Sequence, residues 1–142
     1  MAVIVLDGPD GLRGAAGRHL GRSDWLGIDA DRLALFAAAT GDPQARYLAL
    51  ALTNQFLPEV VEVRGFAMGV NYGTARIELA EPLRPGDRVR GAVDLVEVSD
   101  VAGGLQTAMR ITVELDGRAE PACVVEALSR WIEVPGSTTD GR

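Results

Sequence analysis

The sequence predicts an α+β fold in which one apolar helix is wrapped by a curved antiparallel sheet, and two observations carry that prediction. The run from Tyr47 to Leu52 is apolar or aromatic at every position, which reads as a helix enclosed on nearly all sides. Further along, the periodicity becomes two: "LQTAMRITVEL" sets Leu105, Thr107, Met109, Ile111, Val113 and Leu115 on one face, with Gln106, Arg110, Thr112 and Glu114 opposite. A buried helix followed by strands with one wet face is the layering of an α+β domain.

The elements follow in order. Residues 1–24, rich in Gly and Arg, read as an irregular arm ending at "GRSDW"; a single domain then spans 25–134, and the tail "PGSTTDGR" at 135–142, without an apolar anchor, reads as disordered. Asp29 is placed to cap a short amphipathic helix over "ADRLALFAAAT", and Gly41 to stop it. Asp42 followed by Pro43 repeats the start signal, so the central helix is expected to open there and to close at Pro58. Strands are expected near 66–79, 87–98, 105–115 and 121–134, separated by "RPGD", "DVAGG" and "LDGRAE". The apolar parity slips between Leu95 and Val96, which predicts a bulge.

Composition excludes several functions. With 142 residues, 47% hydrophobic and 24% charged, the chain suits one domain with a real core. Its 14 basic and 20 acidic residues give a net charge of −6, and the basic ones are scattered singly, which argues against a nucleic-acid partner. Cys123 and His19 are the only residues of their types, so neither a disulfide, a Cys-based zinc cluster nor a two-histidine metal site is expected, and no cofactor is. The opening "MAVIVLDGPD" lacks a basic flank and a long apolar stretch, and no apolar run is long enough to span a membrane, so a cytoplasmic protein is expected. "DGPDGLRGAAG" has neither the spacing nor the strand-then-helix context of a phosphate-binding loop.

The residues with chemistry cluster at "TGDPQARYLALAL". Asp42 can cap the amide of Gln44 or Ala45, or act as an acid or base. Arg46 sits at the wrong end of a helix for the macrodipole, so a role in binding an anion or polarising a carbonyl competes with a surface ion pair. Tyr47 reads either as core or as a phenol donating to a substrate oxygen. Asn54 and Gln55, one to two turns further on, are expected to be buried amides that need partners.

Four stretches, "GRSDWLGIDADRLALFAAATGD", "LALALTNQFLPEVVEVRGFAMGVNYG", "PLRPGDRVRG" and "CVVEALSRWIEV", resemble the MaoC-like hydratases and dehydratases, from about Leu20 to Val134. The resemblance implies a hot-dog fold, at least dimeric, in a family that hydrates or dehydrates acyl thioesters of coenzyme A or carrier protein. It also places Asn71 and Tyr72, in "GVNYG", beside the pocket and dimer seam, where Gly69 and Gly73 would allow close backbone approach.

One feature of the family pattern is missing. Members carry an Asp and, five residues later, a His that together activate water. A loop, roughly twenty residues and so longer than most connections, follows and ends in a His-Gly pair whose glycine opens the central helix and offers its amide to the thioester oxygen. Asp42 matches the aspartate, but Tyr47 stands five residues on; in the better register "YLALALTNQFLPEV" matches the central helix, the histidine and loop are deleted, and Ala45 and Arg46 stand where His-Gly would be. Losing one acid/base group costs about 10²- to 10⁴-fold, and an oxyanion donor a similar factor.

Two functions are therefore expected to compete. One is an enzyme with a remodelled site, dehydrating or cyclising an acyl-thioester or polyketide-like substrate, with Asp42, Arg46 and Tyr47 catalytic and Asn54, Gln55, Asn71 and Tyr72 binding. The other is a non-catalytic hot-dog subunit or binding module that supports an active partner. A homodimer is expected, or a heteromer with another hot-dog protein, because a single sheet leaves edges unpaired.

Overall fold

The computed structural model describes residues 2–136. Strands β1 (Ile4–Asp7), β2 (His19–Arg22), β3 (Leu26–Gly27), β4 (Val61–Arg64), β5 (Met68–Leu79), β6 (Arg88–Val101), β7 (Gly104–Leu115) and β8 (Cys123–Ile132) are combined with helices α1 (Gly8–Ala15), α2 (Ala30–Thr40) and α3 (Leu48–Val60). The main sheet runs β2-β6-β7-β8-β5, with β3 also on β6, and all of its pairings are antiparallel. This is the α+β hot-dog arrangement, with α3 packed across the concave face.

The period-two reading of 105–115 is realised in full, since burial alternates at every residue from Leu105 to Leu115. The parity slip in β6 is a register shift between Leu95 and Glu97, with Val96 as the extra residue. Asp29 caps α2 by accepting from the Arg32 amide at 2.7 Å, and Gly41 ends it at φ 72°.

The core divides along α3. Its first half, from Leu48 to Phe56, packs on Val89, Val113, Leu115 and Cys123; its end, Val60, joins Val93, Leu95, Met109, Ile111 and Val125. Phe56 is fully enclosed, and a side chain on Gly91 of β6 would start 2.6 Å from the Phe56 Cβ, so glycine is what lets the helix settle this close to the sheet.

Three expectations are corrected. Residues 1–24 are not irregular: β1 pairs in parallel with β4, and Leu6, Leu12, Ala15 and Leu20 are buried in the core, so apolar contacts order a Gly-rich stretch whose local propensity is weak. Gly8 opens α1 directly after β1, so "DGPDG" does stand between strand and helix, although the phosphate-loop spacing is still absent. Helix α3 begins at Leu48 rather than at Asp42 or Pro43, and passes through Pro58 to Val60. Ala45 lies at φ 49°, a left-handed conformation that breaks any helix started upstream. The tail expected to be disordered lies, from residue 137 on, outside the described residues.

Candidate functional site

The stretch before α3 is a pair of tight turns. The Ala45 amide donates to the Asp42 carbonyl at 3.0 Å, and the Leu48 amide to the Ala45 carbonyl at 3.2 Å. The Asp42 side chain is only 10% exposed and closes this corner: one oxygen accepts from the Arg46 amide at 2.8 Å, and the other lies 3.4 Å from Arg46 Nε. Asp42 thus caps the Arg46 amide, not that of Gln44 or Ala45, and both of its oxygens are engaged by one residue. The Arg46 guanidinium itself is 62% exposed. Tyr47 is not core: it is 53% exposed at the N-cap position of α3.

The other face of α3 is open. Leu48, Ala49, Leu52, Thr53, Phe56 and Val60 are buried, whereas Ala51, Asn54 and Gln55 are exposed, so the helix is not enclosed on nearly all sides and the two amides are not buried. The helix covers β6 to β8, but β5 at the edge of the sheet reaches beyond its cover and is exposed along almost its whole length. Between them runs a groove of about 320 Å³, with Leu50, Asn54 and Leu57 on the helix wall and Asn71, Thr74 and Ser129 among the residues on the sheet wall.

The groove brings Asn54 and Asn71 together, as two of the sequence-selected residues, and leaves out Gln55 and Tyr72. Tyr72 lies under the Arg130 guanidinium, 3.8 Å from its ring centroid, and is the extra residue of a register shift in β5 between Asn71 and Gly73. Gly69 has an explanation within the chain, because a Cβ there would meet the Trp131 ring at 2.5 Å, while nothing lies within 4 Å of one at Gly73. Thr74 and Ser129 were not selected from the sequence. Of the two register shifts in β5, the one at Tyr72 decides which residues face the groove, and its local sign is Gly73.

A second, larger cleft of about 650 Å³ lies by β2 and includes His19, Arg22, Trp25 and Arg90. Its imidazole and two guanidinium groups are already paired. His19 Nδ1 is 2.7 Å from Asp94, while Arg22 and Arg90 both donate to Glu114, at 3.1 and 2.7 Å. Partial burial pushes the Glu114 carboxyl upward, but these two guanidiniums outweigh it and hold Glu114 below the usual carboxylate range. Arg90 also lies 4.2 Å from the Trp25 ring centroid, so the scattered basic residues of the sequence meet here around an acidic hub rather than forming a positive face.

No protein-family model matches the chain. A curated relative does: it is 33% identical to the 3-hydroxyacyl-thioester dehydratase Z of Mycobacterium tuberculosis over 141 aligned positions, covering 85% of this chain and 93% of that protein. The chain belongs to the MaoC-like hydratase and dehydratase family. As 85% of 142 residues is about 121, an alignment of 141 positions leaves about twenty at which the mycobacterial protein has a residue and this chain has none. Among solved structures, the MaoC-like dehydratase from Rhodospirillum rubrum matches with a TM-score of 0.64 at 15% identity, covering 85% of this chain and 94% of that one. The ChsH1-ChsH2 complex from Mycobacterium tuberculosis matches with 0.58 at 14%, covering 82% and 97%. Both likenesses speak for the fold. No helix among the described residues is long and apolar enough to cross a membrane.

Proposed function

We propose that this MaoC-like protein holds an acyl-thioester or polyketide-like chain in the α3 groove and, having lost the hydration chemistry of its family, serves as a binding subunit for an active hot-dog partner. The observation that carries the reading is that no residue lining the groove has a titratable side chain. Acid/base catalysis needs such a group within hydrogen-bond reach of the reacting proton. Asp42, the residue in the place of the family's aspartate, spends both oxygens on Arg46. The unmatched positions of the mycobacterial alignment agree in number with a deleted loop after Asp42, which would have carried the histidine and the oxyanion amide.

A partner also answers the edge of the sheet. Met68, Val70, Tyr72, Ile77 and Leu79 are all exposed on β5, which among the described residues pairs only with β8. An apolar edge strand of this length invites another strand, from a second copy or from a related chain. The ChsH1-ChsH2 complex is a hot-dog neighbour whose description names two different chains.

The enzymatic reading keeps one observation in its favour. Tyr47 is half-exposed and precedes, at helical spacing, Ala51 and Asn54, both of which line the groove, so its phenol is free to serve as a hydrogen-bond donor near that end of α3. That reading has Asp42, Arg46 and Tyr47 performing dehydration or cyclisation.

Calorimetry and a crotonyl-CoA hydration assay on the purified chain separate the two. Saturable binding of an acyl-CoA with no hydration above background is expected. Robust hydration refutes the loss of chemistry, and absence of binding refutes the acyl groove. Turnover of a β-hydroxy or polyketide-like thioester that Tyr47→Phe abolishes would establish the enzyme instead.

A further inference from the structure

We infer that the groove is built for an acyl chain carrying oxygen substituents along its length, a ketone or hydroxyl beyond the thioester end, rather than for a saturated fatty-acyl chain; the inference rests on the acyl-binding reading above. Its walls mix two kinds of residue. Leu50, Leu57, Val125 and Ala127 supply apolar surface, and Asn54, Asn71, Thr74 and Ser129 interrupt it. None of these four polar side chains hydrogen-bonds to any other described residue. The buried hydroxyls are satisfied internally instead: Thr53, which also lines the groove, donates from Oγ1 to the Leu50 carbonyl at 2.7 Å, and Thr107 Oγ1 accepts from the Trp131 indole at 3.0 Å.

The placement of these groups depends on a particular backbone device. In β5, Asn71 pairs with Ser129, Gly73 with Leu128 and Thr74 with Ala127, so the extra residue Tyr72 resets the alternation. Asn71 and Thr74, three positions apart, therefore share the face toward α3, where a regular strand would turn them to opposite sides. On the helix, Asn54 stands between Leu50 and Leu57, so its amide meets the middle of a bound chain and not its end. Covering unpaired amides with an alkyl chain leaves them without water or partner, which disfavours such a ligand. An amide donates and accepts, so Asn54 and Asn71 can each serve a ketone or a hydroxyl.

The test compares hexanoyl-CoA with 5-oxohexanoyl-CoA and 5-hydroxyhexanoyl-CoA by calorimetry on the full chain in its native oligomeric state. The oxygenated ligands should bind about tenfold tighter, two hydrogen bonds contributing roughly equal factors. In Asn54→Leu/Asn71→Leu the preference should reverse, and Thr74→Val should diminish it. Asn54 and Asn71 are exposed, so the double variant disturbs no core. Equal or tighter binding of hexanoyl-CoA by the unaltered chain overturns the inference while leaving the acyl groove standing. If none of the three ligands binds, the acyl-binding reading falls and the inference with it.

Discussion

Replacing Asp42 tests whether the corner before α3 is a structural cap or a reactive carboxylate. The Asp42→Ala change removes the acceptor of the Arg46 amide at 2.8 Å, a capping bond of about 1 kcal/mol. It also removes the ion pair to Arg46 Nε at 3.4 Å, which adds only about 0.3 kcal/mol because solvent screens the exposed guanidinium. The sum, about 1.3 kcal/mol, should lower the urea midpoint by roughly 0.6 M for a typical slope near 2 kcal/mol per M. Arg46→Ala leaves the Arg46 amide bonded to Asp42 and should cost only the ion pair, about 0.3 kcal/mol. Asp42→Asn keeps an acceptor oxygen and should fall between the two. Acyl-CoA binding should survive Asp42→Asn, since Asp42 is not among the residues lining the groove. Asp42 is not a structural cap if Asp42→Ala leaves the midpoint unmoved, if Arg46→Ala costs as much as Asp42→Ala, or if Asp42→Asn keeps full stability yet abolishes turnover of an identified substrate.

Other consequences are open to measurement. Gly91→Ala would put a methyl 2.6 Å from the Phe56 Cβ and should destabilise by about 1–3 kcal/mol through overpacking, read as a fall in melting temperature. Glu114, held below its ordinary range by Arg90 and Arg22 against the opposing effect of burial, contributes stability that is present above the unfolded carboxylate range and lost as pH falls through its lower folded value. Glu114→Gln should therefore flatten the acid side of the stability profile, and an unchanged profile would discount the hub. Burial pushes the Cys123 thiol up to about 11, so its contribution to stability is intact below the ordinary thiol value and declines as pH rises toward the folded one. At mildly alkaline pH Cys123 should resist a thiol reagent until denaturant is added. Light scattering should give at least twice the chain mass of 15.0 kDa, and Val70→Lys on the exposed edge should reduce it toward one chain; a wild-type monomer would remove β5 as an interface.

The sequence by itself determined the elements whose signals are local. The alternation in β7, the bulge at Val96, the Asp29 cap and the Gly41 stop each depend on a few neighbouring residues, and each appears where its residues call for it. The family was legible in the same way, through stretches spread over most of the chain. Tertiary structure alone decided the rest. Residues 1–24 are ordered because Leu6, Leu12 and Leu20 reach a core built by distant strands, which their Gly-rich surroundings do not announce. The Asp-Pro start signal at Asp42 was real as a cap but not as a helix start, because the turn at Ala45 turns the chain out of helical geometry before α3 begins at Leu48. The exposure of Asn54 and its approach to Asn71 depend on α3 covering β6 to β8 while leaving β5 open, and the sharing of one face by Asn71 and Thr74 on the extra residue Tyr72. Pairing across a sheet and the packing of a helix upon it join residues far apart in sequence, and no local pattern encodes which face they will share.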